Sequence, residues 1–211
     1  MTSDASGSFG CGAFSLSHGW FQLEWPESWH GINISAKELV PIVIAAALWG
    51  QQWRHTCVCF KSDNMAVVEI IKRRTAKDPL LMHLLRCLVL YAASFRFQFL
   101  AWHVSGAINT AADTISRNNI QLFLSLVPQM PRVSIPQRVL DLLVTRRPNW
   151  GSSEWTTLFS SSLTRASQQP PEPCINQPGG STACFADSIH CPSYHSLNTP
   201  SANLLQSCLN P

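Results

Sequence analysis

Four acidic residues occupy positions from which their carboxylates could bind metal ions. They lie beside the first predicted strand, in the first turn of the first predicted helix, at the end of the fourth predicted strand and in the last predicted helix: Asp4, Glu38, Asp63 and Asp113. Carboxylate oxygens are the ligands that Mg²⁺ prefers in proteins. Two such ions about 4 Å apart can activate a water molecule and stabilise the leaving oxygen during phosphodiester cleavage. The pattern predicts a metal site, provided that the fold brings the acids together.

Each acid, taken alone, also has an ordinary structural explanation. Glu38 follows Ser35 by three residues, which is the spacing of a helix capping box. Asp63 could cap the helix that begins after it, because an aspartate at this position accepts a backbone N–H. Asp4 could be a turn residue and Asp113 a solvated helix position. The joint placement of the four acids favours convergence over these separate explanations.

The elements that must position these acids alternate between strands and helices. The runs "CGAFSLS" and "GWFQLEW" predict an antiparallel meander. The apolar spacing in "SAKELVPIVIAAALWGQQW" predicts a helix, although it contains Pro41. The strand "TCVCF" leads through Asp63 to the helix "MAVVEIIKRR". A second apolar helix, the alternating strand "FRFQFLAWH" and the helix "TAADTISR" complete the series. This order predicts an α/β domain with a mixed sheet.

The composition changes along the chain of 211 residues. From Ala166 onward there is no Lys or Arg, while seven of the fourteen prolines and four of the eight cysteines lie there. Such a segment buries too little apolar surface to offset the entropy of ordering, so a disordered tail is expected. The sequence thus predicts a folded domain, a proline-punctuated linker, a short helical segment and a tail, over residues 1–119, 120–136, 137–165 and 166–211.

The location is expected to be intracellular, in the cytoplasm or the nucleus. The N-terminus has no basic segment followed by an apolar one, so no secretory signal is visible. The apolar run from Leu39 to Trp49 is shorter than the roughly 20 residues that span a bilayer, and we expect no membrane association. The cysteines are expected to be free, with Cys57 and Cys59 as buried thiols of one strand. Zinc binding by cysteines and histidines of the tail is disfavoured, because the tail has no C-x-x-C pair.

Four sequence blocks together resemble the ribonuclease H domains of reverse transcriptases. They are "TSDAS" at Thr2–Ser6, "AKEL" around Glu38, "SDN" around Asp63 and "HVSGAINTAADTISR" from His103. The chain is most similar to the DIRS-type retrotransposon group over about residues 2–119. The resemblance implies a ribonuclease H-like mixed five-stranded sheet flanked by helices. It also implies that the chain begins inside the domain, and that a reverse transcriptase polymerase domain precedes it in a longer polyprotein.

The resemblance also implies roles for individual residues. Asp4, Glu38, Asp63 and Asp113 match the four metal-binding acids of the family, which would hold two Mg²⁺ ions, with Mn²⁺ as a substitute. His103 matches a loop histidine proposed to assist proton transfer or product release. The alternative for this histidine is a strand-end residue bonded to the backbone.

Several further residues are expected to contact nucleic acid. The basic run holds Lys72, Arg73, Arg74 and Lys77, and it lies in the region that the backbone of an RNA·DNA hybrid passes in the family. A basic run at a helix end is also commonly just solvated and suits the helix dipole. Asn64 and Asn109 belong to the matched blocks, and Asn109 is also expected to order its loop.

The resemblance implies Mg²⁺-dependent endonucleolytic hydrolysis of the RNA strand of RNA·DNA hybrids. One alternative is a catalytically inactive nucleic-acid-binding remnant of a retroelement. Another is a 3′–5′ exonuclease, which the histidine block disfavours. Residues 135–163 resemble the lead-in to a tyrosine recombinase, but Tyr91 and Tyr194 are the only tyrosines and recombinase activity is not expected.

Overall fold

The computed structural model of the chain describes residues 1–127, 129–141 and 143. The predicted tail and most of the predicted segment 137–165 lie outside the described residues. In the part that the structure describes, no helix is both long and apolar enough to cross a membrane.

The described residues form five strands and six α-helices. The strands are β1 (Thr2–Ala5), β2 (Gly10–Ser15), β3 (Gly19–Glu24), β4 (Cys57–Ser62) and β5 (Gln98–His103). The helices are α1 (Ile34–Trp49), α2 (Met65–Arg73), α3 (Pro79–Phe95), α4 (Thr110–Ser116), α5 (Ile120–Leu126) and α6 (Gln137–Leu140), and a short 3₁₀ helix spans Glu27–Trp29. The predicted order, three strands, helix, strand, two helices, strand and helix, is confirmed.

The strands form one mixed sheet in the order β3-β2-β1-β4-β5. The pairs β1–β2 and β2–β3 are antiparallel, and the pairs β1–β4 and β4–β5 are parallel. This arrangement confirms the predicted mixed five-stranded sheet flanked by helices. Parallel strands need a crossover, which α1 provides between β3 and β4, and α2 with α3 between β4 and β5.

The main core lies on one face of the sheet. Helix α1 is buried along most of its length, with Leu39, Ile42 and Val43 fully inaccessible. These residues share one cluster with Phe60 of β4 and with apolar residues of α2 and α3. Helix α1 contributes the largest share of this core because it is apolar on nearly all sides, as a helix covered by both a sheet and other helices must be.

The other face of the sheet is covered by α4 and α5 over its first half. Ile115 of α4 and Phe123 of α5 pack there against Phe14 and Trp20. The linker predicted over residues 120–136 is wrong in this part, because Phe123 is fully buried and α5 belongs to the fold. Helix α5 has only seven residues and is followed by prolines, so its sequence shows too little helical periodicity to predict a helix.

The remaining half of this face, over β4 and β5, is open. Cys57 is exposed and Cys59 is partly exposed, so the prediction that both are buried thiols is wrong. Trp102 and Leu100 of β5 are likewise exposed on this face. The prediction failed because only the side of β4 with Val58 and Phe60 is buried. The described cysteines are free, as predicted.

Candidate metal centre

The sheet register brings Asp4 and Asp63 together. Thr2 of β1 pairs with Lys61 of the parallel strand β4, so residues two positions further along each chain, Asp4 and Asp63, come to the same edge of the sheet. Parallel strands end at the same edge, and alternate residues point to the same face. Helix α1 brings Glu38 to this place from the opposite face. One carboxylate oxygen from each of the three acids lies within 4.8 Å of the others.

The capping explanations for Asp63 and Glu38 do not hold in the structure. The N-cap of α2 is Asn64, whose side chain accepts from the backbone N–H groups of Ala66 and Val67. The N-cap of α1 is Asn33, and its side chain accepts from Ser35. Glu38 is the fifth residue of α1, which places it beyond the first turn where it was predicted. Asn64 therefore caps α2, and the Asp63 carboxylate does not.

The Asp4 carboxylate is buried and bonded at both oxygens. The amide Nδ2 of Asn109 donates to Oδ1 at 3.1 Å, and the hydroxyl of Ser116 donates to Oδ2 at 2.5 Å. Asp4 is only 4% exposed. Two directed donors hold this carboxylate in one orientation, and each oxygen keeps a lone pair for a further partner.

Glu38 is buried with one oxygen that lacks a partner. The backbone N–H of Ala5 bonds to its carboxylate. No donor among the described residues reaches Oε2 of Glu38, although this atom is inaccessible to solvent. An unsatisfied buried oxygen of a carboxylate is costly, so Oε2 of Glu38 is an available ligand for a cation.

Burial and mutual repulsion raise the pKa values of the two buried acids. Burial, followed by the charges of Asp4 and Asp63, raises the pKa of Glu38 to about 9. Burial raises the pKa of Asp4 to about 6; the hydrogen bond from Ser116 opposes this shift, and the charges of Asp63 and Asp113 add to it. Without a cation, Glu38 therefore keeps its proton near neutral pH, and a bound cation would replace that proton.

The donor set fits a hard divalent cation. Three carboxylates supply only oxygen ligands, which suit Mg²⁺ and Mn²⁺ better than the sulfur and nitrogen ligands of zinc sites. Oxygens around an octahedral Mg²⁺ lie about 3–4 Å apart, as its bond length of about 2.1 Å requires. The observed separation of up to 4.8 Å needs only a small closure of the side chains or a bridging water. The acidic trio of Asp4, Glu38 and Asp63 can thus hold a metal ion.

Asp113 lies near this trio but outside it. Its charge raises the pKa of both Asp4 and Glu38, so it is close enough to interact electrostatically. Its own carboxylate accepts a hydrogen bond from Nε of Arg117, 2.6 Å away and one turn further along α4. Both side chains are partly exposed, and an ion pair of this kind is weak enough to be exchanged for another partner.

His103 is the last residue of β5 and is exposed. Its Nε2 donates to the backbone carbonyl of Asp63 at 3.1 Å, which is the backbone contact considered as the alternative for this residue. The contact nevertheless places the imidazole next to an acid of the trio. With Nε2 carrying the proton, Nδ1 is the ring atom able to accept a proton.

The two asparagines of the matched blocks have structural contacts. Asn64 caps α2. Asn109 is 1% exposed, and its side chain bonds to Ser3 and Asp4 of β1 rather than ordering its own loop. The prediction that Asn109 contacts nucleic acid is therefore wrong, because its side chain is enclosed between α4 and the sheet.

The four residues of the basic run differ in the contacts that they make. Lys72 and Lys77 are exposed, and Arg73 forms an exposed ion pair with Glu69 at 3.1 Å. Arg74 lies flat on the fold: its guanidinium carbon is 3.6 Å from the centre of the Phe99 ring, and it donates to the Phe99 carbonyl. Arg74 therefore contributes to packing at the edge of β5.

Three residues near the acids were not recognised from the sequence as parts of the site. They are Ser116, Arg117 and Gly12. Ser116 and Arg117 belong to the block "TISR", and their spacing of three and four residues from Asp113 puts them on its side of a helix. That spacing was a usable signal. Gly12 gave no such signal. It lies opposite Asp4 in the neighbouring strand, and it matters because it lets α4 pack close to the sheet.

Comparisons of the chain with models of known protein families, with curated proteins and with solved structures return no match.

Proposed function

We propose that this chain is a metal-dependent endonuclease that hydrolyses the RNA strand of RNA·DNA hybrids, as part of a retrotransposon polyprotein. The observation that carries the proposal is the acidic trio with the unpartnered, buried Oε2 of Glu38. The four sequence blocks support the choice of substrate, since each contributes one of the acids. The mixed sheet that was expected from these blocks is present.

Each residue of the site has a distinct part in the proposed reaction. Asp4, Glu38 and Asp63 would hold one ion, and Asp113 would help to hold a second ion if its ion pair with Arg117 opened. Two bound Mg²⁺ ions would supply the activated water and stabilise the leaving 3′-oxygen. The oxygen of that water forms the new bond to phosphorus, the bond from phosphorus to the 3′-oxygen breaks, and the products are a 5′-phosphate and a 3′-hydroxyl. Nδ1 of His103 accepts the proton that the attacking water loses, and the leaving 3′-oxygen takes up a proton from solvent to become the 3′-hydroxyl.

Two residues of the basic run lie on the helix that follows Asp63. Helix α2 begins two residues after Asp63 and carries Lys72 and Arg73 in its last turn. At about 1.5 Å per residue, these side chains lie roughly 10–13 Å further along the helix axis than its first residue. This spacing suits phosphates that follow the scissile one along a nucleic-acid backbone.

The proposal is tested by incubating the purified chain with end-labelled RNA·DNA hybrid in Mg²⁺, Mn²⁺ or excess chelator. We expect cleavage of the RNA strand with either ion, none with chelator, and none of a matched DNA duplex. Asp63→Asn should abolish cleavage, because it removes a ligand charge at nearly constant shape. Glu24→Gln, an exposed acid outside the site, is the matched control.

Two outcomes would contradict the proposal in different ways. Activity of Asp63→Asn within threefold of the parent, at unchanged circular dichroism, would show that cleavage does not require the Asp63 carboxylate as a metal ligand. Binding of the hybrid without any cleavage would instead favour the inactive nucleic-acid-binding remnant.

A further inference from the structure

Helix α4 approaches the sheet unusually closely beside Asp4. Asp4 pairs directly with Gly12 of β2, so the two residues present the same face of the sheet to α4. A Cβ atom at Gly12 would lie 2.1 Å from Cγ2 of Ile115, so only glycine leaves room for the helix at this distance. The close approach brings the next residue of α4, Ser116, into contact with the carboxylate of Asp4.

The contact of Ser116 is fully enclosed. Ser116 is 0% exposed, and its Oγ lies 2.5 Å from Oδ2 of Asp4 and 3.0 Å from the carbonyl oxygen of Asp113. A hydroxyl has a single proton. The shorter distance and the charge of the carboxylate favour donation to Asp4 over the weaker bond to the helix backbone.

Asn109 supplies the second donor from the start of the same helix. It stands at the N-cap position of α4, where an asparagine side chain ordinarily accepts from the helix backbone. Here its side chain makes no capping bond and donates instead to Ser3 and Asp4. Both oxygens of Asp4 are thus fixed by donors from the two ends of one short helix.

We infer that Ser116, with Asn109, is a positioning residue that holds the Asp4 carboxylate in the orientation required to bind the metal ion. The inference rests on the proposed function only in requiring that the trio binds a divalent ion. A ligand that rotates freely must be ordered when the ion binds, whereas a ligand already held by hydrogen bonds loses little further entropy. Donors behind a metal ligand commonly change metal affinity by about 10–100-fold when they are removed.

The variant Ser116→Ala removes the hydroxyl and leaves the small side-chain volume nearly unchanged. The matched control is Thr114→Val in the same helix. Thr114 is also buried, but its hydroxyl donates to the carbonyl of Ala111, one turn earlier, and is not bonded to any of the acids. Each variant therefore removes one buried helix hydroxyl, and only Ser116→Ala removes a donor to Asp4.

Binding of Mn²⁺ to the full chain is measured by calorimetry without nucleic acid, together with thermal melting of each variant. We expect Ser116→Ala to bind Mn²⁺ about tenfold more weakly than the parent, and Thr114→Val to bind it as the parent does. In the cleavage assay, saturating Mn²⁺ should restore the rate of Ser116→Ala, because positioning changes the affinity for the ion and not the chemistry. Asn109→Ala should also weaken binding, and it replaces Ser116→Ala if that variant does not fold.

The outcomes separate this inference from the proposed function. Equal Mn²⁺ affinity of the parent and Ser116→Ala would overturn the positioning role alone. Equal weakening in Ser116→Ala and Thr114→Val would show a general effect of loosening α4 and would also overturn it. If the parent binds no Mn²⁺, both the inference and the proposed metal-dependent function fail.

Discussion

The ionisation of Glu38 should couple the stability of the fold to pH. The pKa of this carboxyl is raised from 4.5 to about 9, first by burial and then by the charges of Asp4 and Asp63. A carboxyl with a higher pKa in the folded chain binds its proton more tightly there. Its contribution to stability is therefore complete below its unfolded pKa and is lost as the pH rises through its folded pKa. Without metal, the parent chain should become less stable between about pH 5 and pH 9.

The substitution Glu38→Gln removes this ionisation while keeping nearly the same shape. One pKa unit corresponds to about 1.4 kcal/mol, so titrating Glu38 alone from about pH 5 to pH 8 would cost up to about 4 kcal/mol. The negative charges of Glu38 and Asp4 repel each other, so the two carboxyls titrate as a pair. This coupling makes the loss of stability smaller than the value for Glu38 alone. We expect about 2 kcal/mol at pH 8, which for a domain of this size corresponds to roughly 5–10 °C in melting temperature.

The assay is thermal melting of both chains in chelator at several pH values. The melting temperature of the parent should fall relative to that of Glu38→Gln as the pH rises, so that the variant is the more stable chain at pH 8. Adding Mn²⁺ should reverse the order, because the ion binds the ionised carboxylate of the parent and stabilises the folded state. Glu24→Gln, an exposed substitution, controls for the change in net charge.

Parallel pH profiles for the parent and Glu38→Gln would refute this reasoning. They would mean that Glu38 is hydrated in solution and that its pKa is not shifted by burial. A parent that is stabilised by Mn²⁺ no more than Glu38→Gln would show that the ion binds elsewhere.

Three further predictions concern the basic run and the approach of α4. The double substitution of Lys72 and Arg73 by Ala should reduce the slope of log K against log salt for hybrid binding by about two, without lowering the melting temperature; an unchanged slope would show that these side chains are merely solvated. Arg74→Ala should instead lower the melting temperature, because its guanidinium packs on Phe99. Gly12→Ala should cost about 1–3 kcal/mol and weaken Mn²⁺ binding, because α4 must move away from the sheet; unchanged melting and unchanged Mn²⁺ affinity would contradict the close approach.

The sequence predicted the main elements of the fold because their signals are local. Strand alternation and helical spacing are properties of neighbouring residues, and the order of elements restricts the sheet to few arrangements. The residues that cap α1 and α2 were less accessible. Asn33 and Asn64 compete with Ser35 and Asp63 for the capping positions, and only the backbone conformation decides which of them caps.

The site was predicted only in part because its geometry depends on contacts between distant elements. The convergence of Asp4, Glu38 and Asp63 follows from strand order, which the sequence could suggest. Asp113 pairs with Arg117 and lies outside the trio, and Asn109 is buried. Both features depend on the exact position of α4. Helix α4 is only seven residues long, so its position is set by packing of Ile115 and Phe123 rather than by any pattern in the helix.

A bound ion would add a link between one helix and two paired strands of the sheet. Asp4, Glu38 and Asp63 lie in or beside β1, α1 and β4, and they reach one point from both faces of the sheet. Their mutual repulsion opposes folding when they are ionised, and a divalent cation converts that repulsion into attraction. The three carboxylates therefore destabilise the fold when no metal is bound, and they would stabilise it when a metal ion is bound. For this reason the metal affinity, the pH dependence of stability and the cleavage activity should change together when any member of the trio is replaced.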